Sequence, residues 1–238
     1  MSTKPEFDGF AEQYDGGQDN PIKRLMGDSA DQFIAVKARW LLRHEPQLRT
    51  GGLTVLDYGC GVGDFMRVLA GLGARAQFTG CDVSTGMLQE AAKRWPDRLD
   101  PPPVLAPQQE AQTPFADGQF DVVLISAVLH HVPPDQRAQV YRELGRVTKS
   151  GGRIYVFEHN PRNPLVRYVI ARTPIDRNAI LLDAREVNHG LLATRRYHLE
   201  TDYLMFMPPS LTFLRAVDRA LAWLPLGAQY VVAARKAD

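Results

Sequence analysis

Cysteine is scarce in this chain of 238 residues, which contains only Cys60 and Cys81. Two cysteines cannot build the disulfide framework of a small secreted domain, and these two lack the paired spacing of a zinc site. We therefore expect the chain to work in a reducing, cytoplasmic environment, and we assign it no metal site from the sequence.

Long hydrophobic runs are also missing. No stretch of about 18 apolar residues occurs, which is the length that a membrane-spanning helix needs. The first twenty residues contain acids, glycines and polar residues but no apolar segment of the kind that signal peptides carry. The sequence thus predicts neither secretion nor a membrane span, and any membrane contact is expected to be peripheral.

The chain has no large excess of either charge. It carries 28 lysines and arginines against 27 aspartates and glutamates, a formal net charge of +1. Non-specific nucleic-acid binding needs a dense basic surface, so nucleic acid is not an expected partner. Hydrophobic residues make up 45% of the chain, as in an ordinary globular protein. At this length we expect one domain, residues 1–238.

Short apolar runs alternate with helical patterns along the middle of the chain. Near-continuous apolar runs such as FDVVLISA are typical of parallel strands that are covered on both faces. The pattern predicts an α/β fold with a doubly wound, Rossmann-like sheet. The predicted strands are residues 53–58, 77–82, 104–106, 120–127, 153–158, about 197–205 and 230–234. The predicted helices between them are residues 64–72, 84–94 and 134–149.

Pro134 and the Gly151-Gly152 pair mark the ends of the last of these helices. Proline favours the first turn of a helix, and glycine favours the position just after its end. We therefore predict that Pro134 opens this helix and that the two glycines close it.

The sequence VLDYGCGVGDF, residues 55–65, leads from an apolar strand into a glycine-rich loop. Gly59, Gly61 and Gly63 would let the backbone approach a ligand closely, at the edge where doubly wound sheets bind ligands. The spacing is not the G-x-G-x-x-G of dinucleotide sites, and there is no G-K-[ST] pair. Asp57 would repel a pyrophosphate, whereas it suits the ammonium and sulfonium groups of S-adenosylmethionine.

Further polar residues follow the next strands of the predicted sheet. Asp82, at the end of FTGCD, can accept hydrogen bonds from both ribose hydroxyls, and Val83 follows it. Gln109 and Glu110 lie in QQEAQTPF and could hold an adenine amino group. Ser126 ends the fourth strand at the same sheet edge.

The order of these motifs resembles the class I S-adenosylmethionine-dependent methyltransferases, in the small-molecule branch that includes quinone-pathway enzymes. The resemblance covers about residues 5–160. It implies S-adenosylmethionine as cofactor and a sheet of seven strands whose last strand is antiparallel. FAEQYD, residues 10–15, resembles a family segment whose tyrosine, here Tyr14, closes over the cofactor. The cofactor-binding residues that the resemblance implies are Asp57, Gly59, Gly61, Gly63, Asp82, Gln109, Glu110 and Ser126.

The two ends of the chain depart from the α/β alternation. Phe7 and Phe10 share the helical spacing of Tyr14, so residues 1–50, with a second helix at about 28–43, are interpreted as an N-terminal helical cap. The cofactor-binding core would then cover residues 51–160.

Residues 161–227 are interpreted as a C-terminal insertion that selects the acceptor, and residues 228–238 as the closing strand. The insertion is predicted to contain a helix near 164–172 and a helix opened by a capping box at Asp183 and Glu186. An amphipathic helix at 211–223 is expected to face the core.

Methyl transfer from a sulfonium is an in-line displacement, so alignment of the acceptor can supply most of the catalysis. A hydroxyl acceptor would also have to lose a proton. His131 and His159 stand at predicted strand ends, and they are our candidates for this role.

The acceptor is expected to be a small molecule, but two chemistries remain open. The arginines of the C-terminal segment could bind an anionic group or could form a solvated helix face. Its apolar helix could instead contact a lipid-like acceptor. The arginines are Arg162, Arg167, Arg172 and Arg177.

Other uses of the same cofactor pocket are also open. A regulatory subunit that binds S-adenosylmethionine without turnover would carry the same motifs. A polyamine synthase would need an acid at the end of the fourth strand, where Ser126 and His130 stand. A nucleic-acid methyltransferase would show an N/D-P-P-Y-like motif after Ile125, which is absent. The sequence makes no prediction of oligomeric state.

Overall fold

The computed structural model describes residues 30–237. Tyr14, Phe7 and Phe10, and with them most of the predicted N-terminal cap, lie outside the described residues. The second predicted helix of the cap lies within them and covers Ala30–His44.

A seven-stranded sheet forms the centre of the described chain, with the strand order β3-β2-β1-β4-β5-β7-β6. The first five strands are parallel, and β7 pairs antiparallel with both β5 and β6. This confirms the doubly wound sheet and its antiparallel last strand. The strands are β1 (Thr54–Tyr58), β2 (Gln77–Asp82), β3 (Val104–Pro107), β4 (Phe120–Ser126), β5 (Thr148–His159), β6 (Tyr197–Leu204) and β7 (Gln229–Lys236).

The apolar runs of the sequence become central strands because both faces of the sheet are covered. In β4, Val123 and Ile125 belong to the apolar cluster on one face, whereas Val122 and Leu124 belong to the cluster on the other. Alternate residues of a strand point to opposite faces, so an uninterrupted apolar run serves both layers.

Seven α-helices lie in the described residues. Three of them begin with a side-chain cap that satisfies free backbone amides, as the sequence pattern suggests for the first turn. The caps are Ser84, Asn163 and Asp183. The helices are α1 (Ala30–His44), α2 (Asp64–Gly71), α3 (Thr85–Arg94), α4 (Arg137–Val147), α5 (Pro164–Ile170), α6 (Ala184–Leu192) and α7 (Arg215–Ala220).

The predicted bounds of α4 were wrong at both ends. The helix begins at Arg137, after a turn in which the Gln136 amide donates to the Pro133 carbonyl at 2.9 Å. It ends at Val147, and β5 starts at the next residue. Gly151 therefore lies inside a strand and adopts φ +69°, near a register shift between β4 and β5. The glycine pair therefore allows the backbone conformation at this register shift, and it does not close the helix.

The predicted core-facing helix at 211–223 was also wrong. A short 3₁₀ turn, Thr212–Leu214, precedes the two-turn α7, and Phe213 is 77% exposed. The Asp218 carboxylate accepts hydrogen bonds from the amides of Phe206 and Met207 at 2.8 and 3.1 Å, so the contact with the rest of the protein is partly polar. No residue of the 3₁₀ turn or of α7 is fully buried, and Phe213 and Val217 are exposed.

The segment that follows β5 is joined tightly to the sheet. The Asn160 amide donates to the Ala228 carbonyl at 3.0 Å, and the Asn160 side chain donates to the Gly227 carbonyl at 2.8 Å. His159 and Gln229 are paired in the register of β5 and β7. The predicted insertion also supplies the edge strand β6, so it is part of the sheet and not only an addition to it.

No helix of the described residues combines the length and the apolar composition that a membrane span requires.

Candidate cofactor and acceptor site

A cavity of about 560 Å³ opens at the carboxyl edge of the parallel strands. Residues from the ends of β1, β2 and β4 line one part of it, as expected for a ligand site in a doubly wound sheet. The turns after β4 and the helix α5 line the other part. We call these two parts the cofactor end and the acceptor end.

The loop after β1 brings backbone to the cofactor end. Gly59 has φ +68°, and a Cβ at this position would stand 2.7 Å from the Val128 side chain. Gly61, with φ +52°, has nothing within 4 Å of its Cβ position, so it faces open space. Both line the cavity. Gly63 does not, since it is the N-cap of α2, where a Cβ would stand 3.2 Å from Ala91.

Asp82 is held rigidly at the end of β2. Its two carboxylate oxygens accept hydrogen bonds from the Gly61 and Ser84 amides, both at 2.9 Å. A carboxylate can accept about four hydrogen bonds in all. Asp82 and Val83 line the cavity, and the carboxylate is thus oriented for a ligand that offers hydroxyl groups.

Asp57 is buried, and its Oδ2 accepts no hydrogen bond from the described residues. Burial raises the pKa of Asp57 to about 7, with Lys37 lowering it and Asp82 raising it further. A buried carboxylate without a donor is costly unless a cation or a donor approaches it. The ammonium group of S-adenosylmethionine fits this need, and Asp57 lines the cavity where that group would enter.

Lys37 of α1 is a site residue that the sequence analysis missed. It is buried, lines the cavity, and donates a hydrogen bond to Ser126 Oγ at 2.7 Å. A signal for it exists in the sequence, because Ile34, Lys37, Ala38 and Leu41 follow the spacing of one helix face. A lysine within an apolar stripe must find polar partners inside the protein.

The loop after β3 corrects one prediction. Gln109 is exposed and does not line the cavity, because it pairs with Gln112 in a tight turn with both amides bonded at 2.9 Å. Its neighbours Gln108 and Glu110 do line the cavity. The Gln108 Oε1 atom is buried and accepts no hydrogen bond from the described residues, so it can accept one from an adenine amino group.

A buried ion pair, missed from the sequence, lies between the two ends. His130 Nδ1 donates to Glu158 Oε2 at 2.6 Å, and both side chains are almost fully buried. Glu158 Oε1 also accepts the Val128 and Leu129 amides at 3.0 and 2.7 Å. Burial alone would lower the pKa of His130, but Glu158 and Asp176 outweigh it and raise that pKa to about 9. This pair fixes the turn that carries the histidines.

His131 and His159 both line the acceptor end. His131 Nε2 lies 3.4 Å from Asp176 Oδ1, and the His131 side chain is 19% exposed. Burial and the charge of His130 lower the pKa of His159 to about 3. Asp176 comes from a distant 3₁₀ turn, Pro174–Asp176, and no local pattern in the sequence marks it.

The rest of the acceptor end is largely apolar. The side chains that form it come from α5 and the turn after it. They are Leu165, Val166, Val169, Ile170 and Ile175.

The four arginines of this segment are all exposed, and none of the four lines the cavity. Arg162 pairs with Asp183 at 2.8 Å, and Arg172 stacks on Tyr168. Their positions match a solvated surface, which leaves the apolar wall as the main contact for an acceptor.

Comparison with known proteins agrees with this geometry. Residues 56–156 match the family model of a methyltransferase domain. A malonyl-[acyl-carrier protein] O-methyltransferase of Legionella pneumophila is 41% identical over 139 residues, 56% of this chain and 48% of that protein. A ubiquinone/menaquinone biosynthesis C-methyltransferase of Syntrophotalea carbinolica is 31% identical over 168 residues, 70% of this chain and 65% of that protein. The matches thus span less than two thirds of either relative.

Solved structures show the same fold at low identity. An S-adenosylmethionine-dependent methyltransferase of Archaeoglobus fulgidus has a TM-score of 0.63 at 16% identity, over 90% of this chain and 98% of that one. The methyltransferase in complex with the Trm112 activator of Haloferax volcanii has a TM-score of 0.68 at 18% identity, over 100% and 98%. Residues 56–156 therefore form a methyltransferase domain, and the described chain has the fold of the S-adenosylmethionine-dependent methyltransferases that it resembles. S-adenosylmethionine is the cofactor that this domain indicates.

Proposed function

We propose that this chain catalyses methyl transfer from S-adenosylmethionine to an oxygen of a small, largely apolar acceptor. The observation that carries the proposal is the continuity of the cavity, which joins Asp57 and Asp82 at one end to an apolar wall with His131 at the other. Two molecules held in one cavity can be aligned for in-line displacement, and this alignment supplies much of the rate.

At the cofactor end, we assign one role to each polar group. Asp82 takes the ribose hydroxyls, and Asp57 takes the ammonium group. Gln108 and Glu110 lie at the adenine position, where the sequence analysis had placed Gln109 and Glu110. The backbone at Gly59 and Gly61 makes room for the ligand, and Ser126 stands with Lys37 beside the methionine part.

At the acceptor end, the apolar side chains exclude water and hold the acceptor skeleton. The bound cofactor supplies an electrophilic methyl group on a sulfonium. In the transfer, the acceptor oxygen would form a bond to the methyl carbon as the carbon–sulfur bond broke, with the electron pair of that bond left on sulfur. The oxygen must also lose its proton, and we assign the activation of that oxygen to the cluster of His131 and Asp176.

His131 is preferred to His159 on position. His131 is oriented by Asp176 and retains accessible surface toward the acceptor end. The His159 ring is tilted against that of His130, with ring centroids 5.3 Å apart, and no ion pair between His159 and a carboxylate occurs among the described residues. His159 is therefore assigned to the wall of the cavity.

The proposal is tested by incubating the full chain with S-adenosylmethionine and a panel of apolar phenols and hydroquinones, and by following product mass and S-adenosylhomocysteine. We expect methylated product with wild type and a loss of about 10²–10⁴ in kcat for His131→Ala. His189→Ala, at an exposed histidine of α6, is the matched control and should retain full activity. Cofactor binding in calorimetry without turnover of any acceptor would instead support a regulatory cofactor-binding subunit.

A further inference from the structure

Three donor atoms meet at the acceptor end: His130 Nε2, His131 Nε2 and Asp176 Oδ1. The carboxylate oxygen lies 3.5 Å from the first nitrogen and 3.4 Å from the second. One ligand atom from each of the three residues lies within 4.8 Å of those from the other two. These separations are longer than good N–H···O hydrogen bonds, which span roughly 2.7–3.2 Å. Each histidine thus faces the same carboxylate oxygen at more than the usual hydrogen-bond distance.

The two separations from the Asp176 oxygen match those of metal ligands. Two ligands at roughly 2.0–2.1 Å from a tetrahedral ion lie about 3.4 Å apart. We propose that His130, His131 and Asp176 form a binding site for a divalent transition-metal ion, with zinc as the best match. Two imidazoles and one carboxylate favour zinc and its neighbours over magnesium or calcium, which prefer oxygen ligands.

The surroundings of His130 are those of a metal ligand. Its Nδ1 is bound to Glu158, so its Nε2 is the nitrogen that faces Asp176. Histidines that bind metals commonly donate the other ring N–H to a carboxylate, which fixes the ring and strengthens the ligand. Glu158 is itself fixed by the two backbone amides of Val128 and Leu129.

The two turns that carry the donors are connected to each other. The Ile180 amide donates to the His130 carbonyl at 2.8 Å. The buried Arg137 guanidinium donates to the carbonyls of Leu129 and Ile180, so it bridges the histidine turn and the segment after Asp176. The donors are therefore held in place before any ion arrives, which lowers the cost of binding.

The site would have an open position. All three residues line the cavity, and three protein ligands with a free fourth position are typical of catalytic zinc. An acceptor oxygen at that position would lose its proton more readily, with the proton passing to water, and His131 would then act as a ligand in place of a base. This consequence rests on the proposed function, whereas ion binding itself does not.

The test uses the full chain, freed of metal by a chelator that is then removed, and zinc chloride alone as the probe. Calorimetric titration at pH 7.5 and elemental analysis after dialysis should show one zinc per chain. Cobalt(II) should give the visible absorption of a four-coordinate ion. Asp176→Asn and His131→Ala should each lower zinc affinity at least 10–100-fold, the range known for supporting residues alone.

His198→Ala is the matched control, since His198 is an exposed histidine of β6. It should leave zinc affinity unchanged. S-adenosylmethionine titration of each variant reports whether the fold is intact. Cofactor binding without zinc binding by wild type overturns the metal site and leaves the proposed function standing. Zinc binding that Asp176→Asn and His131→Ala do not weaken also overturns it. Zinc binding without turnover of any acceptor would remove the proposed function alone.

Discussion

Lys37 Nζ lies 2.7 Å from Ser126 Oγ, which joins the helix α1 to the end of β4 at the cofactor end of the cavity. Lys37 is the only lysine or arginine among the described residues that line this cavity. Under the proposed function, we infer that this cation faces the carboxylate of the methionine part of the cofactor.

Lys37→Met should therefore weaken S-adenosylmethionine binding. A hydrogen bond to a charged group contributes roughly 1.5–3 kcal/mol, which corresponds to about a 10–100-fold rise in Kd. Calorimetric titration measures it directly. Lys93→Met is the control, because Lys93 is exposed on α3 and pairs with Glu90 away from the cavity. Equal affinities for both variants would remove Lys37 from the cofactor site.

Asp57 predicts a pH dependence of cofactor affinity. Its pKa is raised to about 7, and only the ionised carboxylate can hold an ammonium group. As pH falls below about 7, affinity should decrease by up to tenfold per pH unit, since one proton must be released for binding. Titrations between pH 5.5 and 7 would show the slope in wild type. Asp57→Asn should bind weakly and without this slope, and a pH-dependent Asp57→Asn would assign the slope to another group.

The same shift predicts the opposite effect on the stability of the cofactor-free protein. A carboxyl whose pKa rises from 3.8 to about 7 binds its proton more tightly in the folded state, so stability is lost as pH rises through that range. Asp57→Asn should accordingly raise the free energy of unfolding at pH 8 by on the order of 1–3 kcal/mol. At pH 4 the variant should gain nothing. Urea denaturation at pH 4 and pH 8 distinguishes this charge effect from a packing effect, because a packing effect would change the free energy of unfolding equally at both pH values.

Alanine substitutions at two helical glycines are expected to change stability in opposite directions. A Cβ at Gly190 in α6 would lie 2.1 Å from the ring of the buried Tyr141, so Gly190→Ala should destabilise the protein by about 1–3 kcal/mol. Gly71, at the end of α2, has nothing within 4 Å of its Cβ position. Gly71→Ala should be neutral or stabilise by up to about 1 kcal/mol. Chemical denaturation of both variants would show whether the clash with Tyr141 or the helix propensity of alanine determines the change in the free energy of unfolding.

The exposed apolar residues around α7 predict tolerance to substitution. Phe213 and Trp223 are 77% and 74% exposed. Phe213→Ser and Trp223→Ser should each change the free energy of unfolding by no more than about 0.5 kcal/mol. Leu191→Ala is the buried comparison and should cost about 2–5 kcal/mol. A large loss for either serine variant would mean that the side chain is covered in solution.

The sequence predicts those features of the fold that depend on residues close together in the chain. β2 occupies the predicted residues, Gln77–Asp82, and α6 begins after Asp183 because that carboxylate accepts hydrogen bonds from the next free amides. Glu186 departs from the capping-box prediction, since its carboxylate binds Arg137 of α4 at 2.5 Å and not the start of its own helix. A partner on another element gives no local signal.

The same reason explains what the sequence missed at the site. Asp176 reaches the histidines only because the segment after β5 folds back across the sheet edge, and Lys37 reaches Ser126 only when α1 packs there. Asp176 and Lys37 thus depend on where two distant segments meet. Gln109 is different, because a local turn with Gln112 turns its side chain away from the cavity and leaves Gln108 facing it.

The hydrogen bond between the Asn160 amide and the Ala228 carbonyl has a consequence for how acceptor preference can change over evolution. It fixes the two ends of the acceptor-side segment next to each other, on strands already paired at His159 and Gln229. The segment between these anchors includes β6, which pairs with β7, so its turns are the parts that can change length most easily. Lengthening a turn whose ends stay fixed costs little entropy, about 0.6 kcal/mol for each doubling. Insertions and deletions in these turns can therefore accumulate while the strands that hold the cofactor keep their register, so one half of the cavity can diverge as the other is retained.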